Sequence, residues 1–281
     1  VPAVTENQNT ATNTTAPQGN TQTGQTQVVE KYKGGTQSVI GKSGEGRDIT
    51  AYHYGDGAKK ILFVGGIHGG YSWNTALVAY ELMDYLKANS NIIPSNAQVA
   101  VIPVMNPDGL NKVVGTAGRF TSADVPSSKE VQVSGRFNAN NVDLNRNFDC
   151  EWKPNGVWQN KTVNGGSEVF SETETKAFRV FIESYKPDAV VVWHSAAGGV
   201  FASSCNNGVL PETNTITNIY AKASGYPAYE NFDFYEITGD MVNWLAKNNI
   251  PAISVLLTTH ESVEWSKNLA GIKALLNHYA Q

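Results

Sequence analysis

Residues 60–68 read Lys-Ile-Leu-Phe-Val-Gly-Gly-Ile-His, and this stretch decides the fold class. KILFVGG is a continuous apolar run, the pattern of a strand buried on both faces, and such strands belong to parallel sheets covered by helices. Working outward, residues 47–54, 98–104, 188–193 (DAVVVW) and 251–257 (PAISVLL) read as further strands. Residues 74–89, 172–185, 213–224, 241–249 and 262–279 carry apolar residues at helical spacing, with Ser171 as N-cap of the second of these. Asn106–Pro107–Asp108–Gly109 reads as a turn, and the polar, Gly-rich stretch 110–142 as a long functional loop. Strands alternating with helices predict one α/β domain with a largely parallel sheet flanked by helices on both faces.

Composition narrows the function. The chain of 281 residues holds 25 Asp and Glu against 21 Lys and Arg, a net charge of −4, with no basic block. Binding to nucleic acid by counterion release is therefore excluded as a main activity. No apolar run nears the roughly 18 residues that a membrane span needs. Residues 1–28 are dominated by Thr, Gln and Asn and bury too little to offset their ordering, which predicts a flexible linker or stalk ahead of a folded domain at 29–281. That composition, and a first residue, Val1, that is not Met, suit a processed or truncated bacterial protein, secreted or on the cell surface. Cys150 and Cys205 permit one disulfide in an oxidising compartment, or two buried thiols.

In an open α/β sheet, ligands bind beyond the carboxyl ends of the strands. There, KILFVGGI runs into His68 and DAVVVW runs into His194. Between them, VDLNRNF (142–148) sets Asp143, Asn145 and Arg146 within four residues, with Arg136 ten residues before Arg146. An arginine beside an amide suits a carboxylate, because the planar fork donates two parallel hydrogen bonds. Alternatively, the segment is a charged loop with local salt bridges.

His68 after its Gly-Gly-Ile strand end, Asn106–Pro107–Asp108–Gly109, VDLNRNF, the His194–Ser195 pair and Tyr235-x-x-x-Gly239 stand in an order that resembles the zinc metallocarboxypeptidases of the M14 family, across residues 33–281. The resemblance implies a mixed eight-stranded sheet and a family reaction in which zinc assists hydrolysis of the C-terminal residue of a peptide. His68 and His194 resemble two zinc ligands, and Asp143 the acid that orients the first histidine. Asn145 and Arg146 resemble the clamp on the terminal carboxylate, with Ser195 beside it. Arg136 resembles the arginine that polarises the scissile carbonyl, and Tyr235 a mobile tyrosine that closes over substrate. Asp240 and Val242 fall at the specificity pocket, where Asp240 either favours basic side chains or caps the next helix.

Two acids are missing. The family places a glutamate ligand three or four residues after the first histidine, and here those positions hold Tyr71 and Ser72. The glutamate general base of the last strand aligns with Leu256. Catalytic zinc uses three protein ligands and an open position for water, so Zn²⁺ is expected to bind weakly or not at all. Leucine moves no proton, and loss of a general acid–base group alone costs about 10²–10⁴ in rate. Glu261 and Glu264 read as first-turn acids of the last helix rather than replacements, and His260 as a weak substitute base. The chain is thus expected to be an inactive monomeric carboxypeptidase homologue that recognises peptide C-termini. It is either an ordinary carboxypeptidase with two replacements, a natural pseudoenzyme for cell-wall peptides, or a surface scaffold.

Overall fold

The computed structural model describes residues 32–206 and 208–280, so the segment 1–28 expected as a linker lies outside the described residues. Its strands are β1 (Gln37–Lys42), β2 (Asp48–Tyr54), β3 (Lys59–Val64), β4 (Ala97–Ile102), β5 (Asn155–Trp158), β6 (Lys161–Asn164), β7 (Ala189–Ser195), β8 (Gly199–Ala202), β9 (Ala228–Tyr229) and β10 (Ala252–Leu257). Between them lie α1 (Trp73–Ala88), α2 (Pro107–Val114), α3 (Lys129–Ser134), α4 (Thr173–Tyr185), α5 (Pro211–Ser224), α6 (Met241–Lys247) and, closing the chain, α7 (Trp265–His278).

Eight strands form one mixed sheet in the order β1-β2-β4-β3-β7-β10-β8-β9. The apolar runs occupy its centre, where β4, β3, β7 and β10 are mutually parallel. Alternation along these strands builds a core on each face. Ile61, Phe63, Val191, Trp193, Ile253 and Val255 pack with α1, α5 and α7. Leu62, Val64, Val190, Val192 and Ala252 pack with α4 and α6. Both faces are covered, so the central strands have no polar side to reveal their period. Their length and β-branched content carry the assignment instead.

The structure departs from the expectations where a local signal has two meanings. Asn106–Pro107–Asp108–Gly109 is a helix start: the Asn106 side chain accepts from Gly109 N at 2.8 Å and Pro107 opens α2. The stretch 110–142 is accordingly not one loop, since it contains most of α2 and all of α3. Glu172, not Ser171, occupies the N-cap position of α4, and the Ser171 hydroxyl instead donates to Glu172 at 2.7 Å. Glu261 and Glu264 precede the first turn of α7. Glu264 sits at its N-cap position and takes the Thr258 amide and hydroxyl. The β5–β6 hairpin and the short strands β8 and β9 carry too few apolar residues to announce themselves. Cys150 and Cys205 form a disulfide, with Cα atoms 6.1 Å apart.

Candidate active-site cleft

A cleft of about 1100 Å³ opens beyond the carboxyl ends of β3, β7 and β10. Its lining brings together His68, Arg136, Asn145, Arg146, His194, Ser195, Tyr235, Asp240, Val242 and Leu256 from segments far apart in the chain. Ser72 and Asp143 are absent from that lining and are buried.

The floor is made by the strand ends. His194 belongs to β7 and pairs in register with Leu256 of β10, so the two side chains stand next to each other on one face. The rings of His68 and His194 are 5.4 Å apart between centroids. Both nitrogens of His68, Nε2 of His194 and the hydroxyl of Ser72 are buried and have no hydrogen-bond partner among the described residues. Asp143 Oδ1 approaches His68 Nε2 to 3.7 Å, an electrostatic contact beyond hydrogen-bond length. Burial first, then Arg136, holds the pKa of His68 well below its ordinary value. Burial and then Arg136 likewise push His194 down to about 3, and Arg146 lowers both rings. Both imidazoles are therefore neutral at physiological pH, the form that ligates metals and donates one N–H.

The opposite wall is cationic, and each of its arginines is held by hydrogen bonds. Arg136 Nε and Nη2 both reach Asp143 Oδ2, at 2.9 and 2.8 Å. Arg146 Nε and Nη2 donate to the Val157 carbonyl at 2.9 and 2.7 Å, and its Nη1 donates to the Asn145 carbonyl at 2.7 Å. A guanidinium has five N–H bonds, so among the described residues one remains on each terminal nitrogen of Arg146. The Asn145 side chain donates to Asp240 Oδ2 at 2.9 Å and accepts from Met241 N at 3.0 Å. Asp240 Oδ1 in turn caps α6 by accepting from Asn243 N at 2.9 Å. Of the two roles open to Asp240, the helix cap is therefore the one its bonds describe. Burial raises its pKa, against the hydrogen bonds and the nearby Arg146 that lower it. Gly239 has φ +63° and turns against Arg146, where a Cβ would come 2.3 Å from the Arg146 carbonyl oxygen.

Two expected residues have other engagements. The Ser195 hydroxyl donates to Asn74 of α1 at 2.7 Å, so it braces the strand end. Tyr235 lies in a loop at the cleft mouth, with its ring 4.9 Å from Phe232. The sequence reading missed Tyr71, Val157 and Trp158. The Trp158 ring lies 4.3 Å from the Arg136 guanidinium carbon, and Tyr71 packs on both Trp158 and His260. The two-residue link Gln159–Asn160 between the paired Trp158 and Lys161 lacks the glycine that marks such a turn in a sequence, so no local signal announced the hairpin.

The zinc carboxypeptidase family model, Peptidase_M14, matches residues 25–262. The chain belongs to this family. Among the M14 domain's relatives, bacteriocin BCN5 of Clostridium perfringens is 32% identical over 152 residues, which cover 53% of this chain and 15% of that protein. Gamma-D-glutamyl-L-diamino acid endopeptidase 1 of Lysinibacillus sphaericus is 24% identical over 215 residues, covering 70% of this chain and 54% of that one. The M14 domain thus spans about half or less of the length of these relatives. The crystal structure of thrombin activatable fibrinolysis inhibitor superposes with a TM-score of 0.70 at 17% identity, over 90% of this chain and 71% of that one, and shows the shared fold.

A catalytic zinc requires three protein ligands. The unpartnered nitrogens of His68 and His194 suit two of them. The third donor nearest in sequence is the Ser72 hydroxyl, and among the described residues no three of His, Cys, Asp and Glu come together to hold a metal ion. The donor set of this M14 domain does not fit a three-ligand zinc centre.

Proposed function

We propose that this M14 domain recognises the C-terminal carboxylate of peptides and has lost, or nearly lost, the hydrolysis of the terminal residue. The observation that carries this reading is the contrast within one cleft. Arg146 keeps one N–H on each terminal nitrogen unused, beside a hydrogen-bonded Asn145, while Leu256 occupies the position next to His194 where a proton acceptor would be needed. A leucine takes no proton from water and returns none to a leaving amine. Zn²⁺ is held weakly or not at all, because Ser72 supplies no negative charge to a pair of neutral imidazoles. Peptide binding would use Arg146 and Asn145 for the carboxylate, Arg136 for the carbonyl that precedes it, and Tyr235 as a cover.

Peptides of the bacterial cell wall are the proposed ligands, in keeping with the endopeptidase named among the relatives. The Cys150–Cys205 bridge supports a secreted or cell-surface location, where disulfides persist. Among the described residues, no helix is long and apolar enough to cross a membrane. Calorimetry with N-acetylated tripeptides, each as the free acid and as its amide, tests the reading. Tighter binding of the acids is expected, with no release of the terminal residue. Equal affinity for acid and amide rejects carboxylate recognition, and steady release of C-terminal residues rejects the loss of catalysis.

A further inference from the structure

Three successive residues of the peripheral hairpin β5–β6 each meet an arginine of the cleft, and the last of them, Trp158, also lines the cleft itself. Gly156 passes the stem of Arg146: a Cβ at this position would lie 2.8 Å from Arg146 Cδ and 3.0 Å from Cγ. The carbonyl of Val157 takes Nε and Nη2 of the same guanidinium. Trp158 lays its ring over the guanidinium of Arg136, 4.3 Å from Cζ, while Asp143 holds that group from its edge. We infer that Gly156–Val157–Trp158 is a positioning element that sets Arg136 and Arg146 relative to each other, so that the two present one preformed surface to a peptide terminus. The inference rests on the carboxylate-binding reading.

The physical ground is preorganisation. Arginine has many rotamers, and a site that must freeze them on binding loses that freedom from its affinity. Here the side chains are frozen beforehand, by a missing Cβ, a carbonyl and an aromatic face on one short strand. Each of these groups is specific. A carbonyl that accepts two N–H bonds from the inner side of a guanidinium leaves its outer N–H bonds for a ligand, and a ring face attracts a cation without consuming any of its donors. Adjacent residues of one strand fix the separation of the two anchors. A movement of the hairpin therefore displaces both arginines together.

The test compares free-acid and amidated N-acetylated tripeptides with small, acidic, basic and aromatic C-terminal residues, on the full chain and its variants. Gly156→Ala and Trp158→Ala are expected to lower affinity for the acids on the order of tenfold each, with binding of the amides unchanged. Trp158→Phe restores most of the loss, because it returns a ring face to Arg136. In an Arg146→Gln background, Gly156→Ala has no further effect. Wild-type discrimination between acid and amide in both Gly156→Ala and Trp158→Ala overturns the inference. So does an equal loss of acid and amide binding, which a hairpin that merely holds the cleft open would produce. If Trp158→Ala fails to fold by circular dichroism and thermal unfolding, Gly156→Ala and Trp158→Phe carry the same test. An unaltered chain that does not prefer the acid removes the carboxylate reading itself, whereas a discriminating chain with a silent Gly156→Ala removes only the hairpin's role.

Discussion

The two sides of the cleft are built to different standards. On the arginine wall, every named side chain is held by partners: Arg136 by Asp143, Arg146 by two carbonyls, Asn145 by Asp240 and Met241, Asp240 by the start of α6, with two N–H bonds of Arg146 left over among the described residues. On the histidine floor, His68, His194 and Ser72 hold buried polar atoms with no partner. Buried polar groups are normally hydrogen-bonded, and each exception calls for an explanation. The proposed function accounts for them as the remains of a metal site without its carboxylates. On that reading, the floor holds two imidazoles suited to a metal without the acids that would give the set its charge, while the wall holds its arginines in place. Recognition and chemistry would then be separable within one cleft, although Asp143 faces both sides, bonded to Arg136 and 3.7 Å from His68.

The strongest challenge to this contrast is to repair the floor. Ser72→Glu combined with Leu256→Glu, supplied with zinc, is expected to raise release of C-terminal residues by about 10²–10⁴ over the unaltered chain, the usual worth of a placed acid–base group. A double variant that remains silent would mean that the floor is not a latent metal site. Breaking the wall comes next in size. Arg146→Gln should weaken free-acid peptides by roughly tenfold to a hundredfold, from the loss of a charged hydrogen bond, and leave amides alone. An equal effect on both peptide forms would place the carboxylate elsewhere.

The smallest effects concern stability, where the two sides should respond in opposite senses. Asp240→Ala removes a helix cap and a partner of Asn145, and should cost about 1–2 kcal/mol in urea unfolding. His194→Leu removes a buried nitrogen that has no partner, and should leave stability within about 1 kcal/mol of the starting value or raise it. If the two variants lose stability alike, the floor is bonded in a way that its geometry does not reveal.

Much of this was legible in the residues, for reasons that differ from place to place. The central strands could be read because continuous apolar runs leave few alternatives to burial on both faces. His68 and His194 could be placed because both end such runs. The hairpin could not be read. Asn155–Gly156 looks like a turn dipeptide, yet it opens strand β5, and Gly156 is there for the stem of Arg146, a contact 10 positions away that no local pattern encodes. Asp240 stayed ambiguous for a related reason. An acid before a helix and an acid in a pocket look alike until its two oxygens are assigned, one to Asn243 N and one to the Asn145 amide. Asn106–Pro107 likewise serves turns and helix starts equally well, and only the bond to Gly109 N decides between them.

The Cys150–Cys205 bridge has a consequence beyond the two sulfurs. It joins the segment just after Arg146 to the segment just after β8, across 55 residues of chain. A tether of that length removes freedom from the unfolded chain worth roughly 4 kcal/mol in the loop-entropy account. Cys205 lines the cleft and Cys150 adjoins it, so the part of the fold held by covalent chemistry is the part proposed to bind a peptide terminus. The proposed grip would therefore answer to the redox state of the surroundings as well as to the sequence: reduction of the bridge would release the strap across the binding wall.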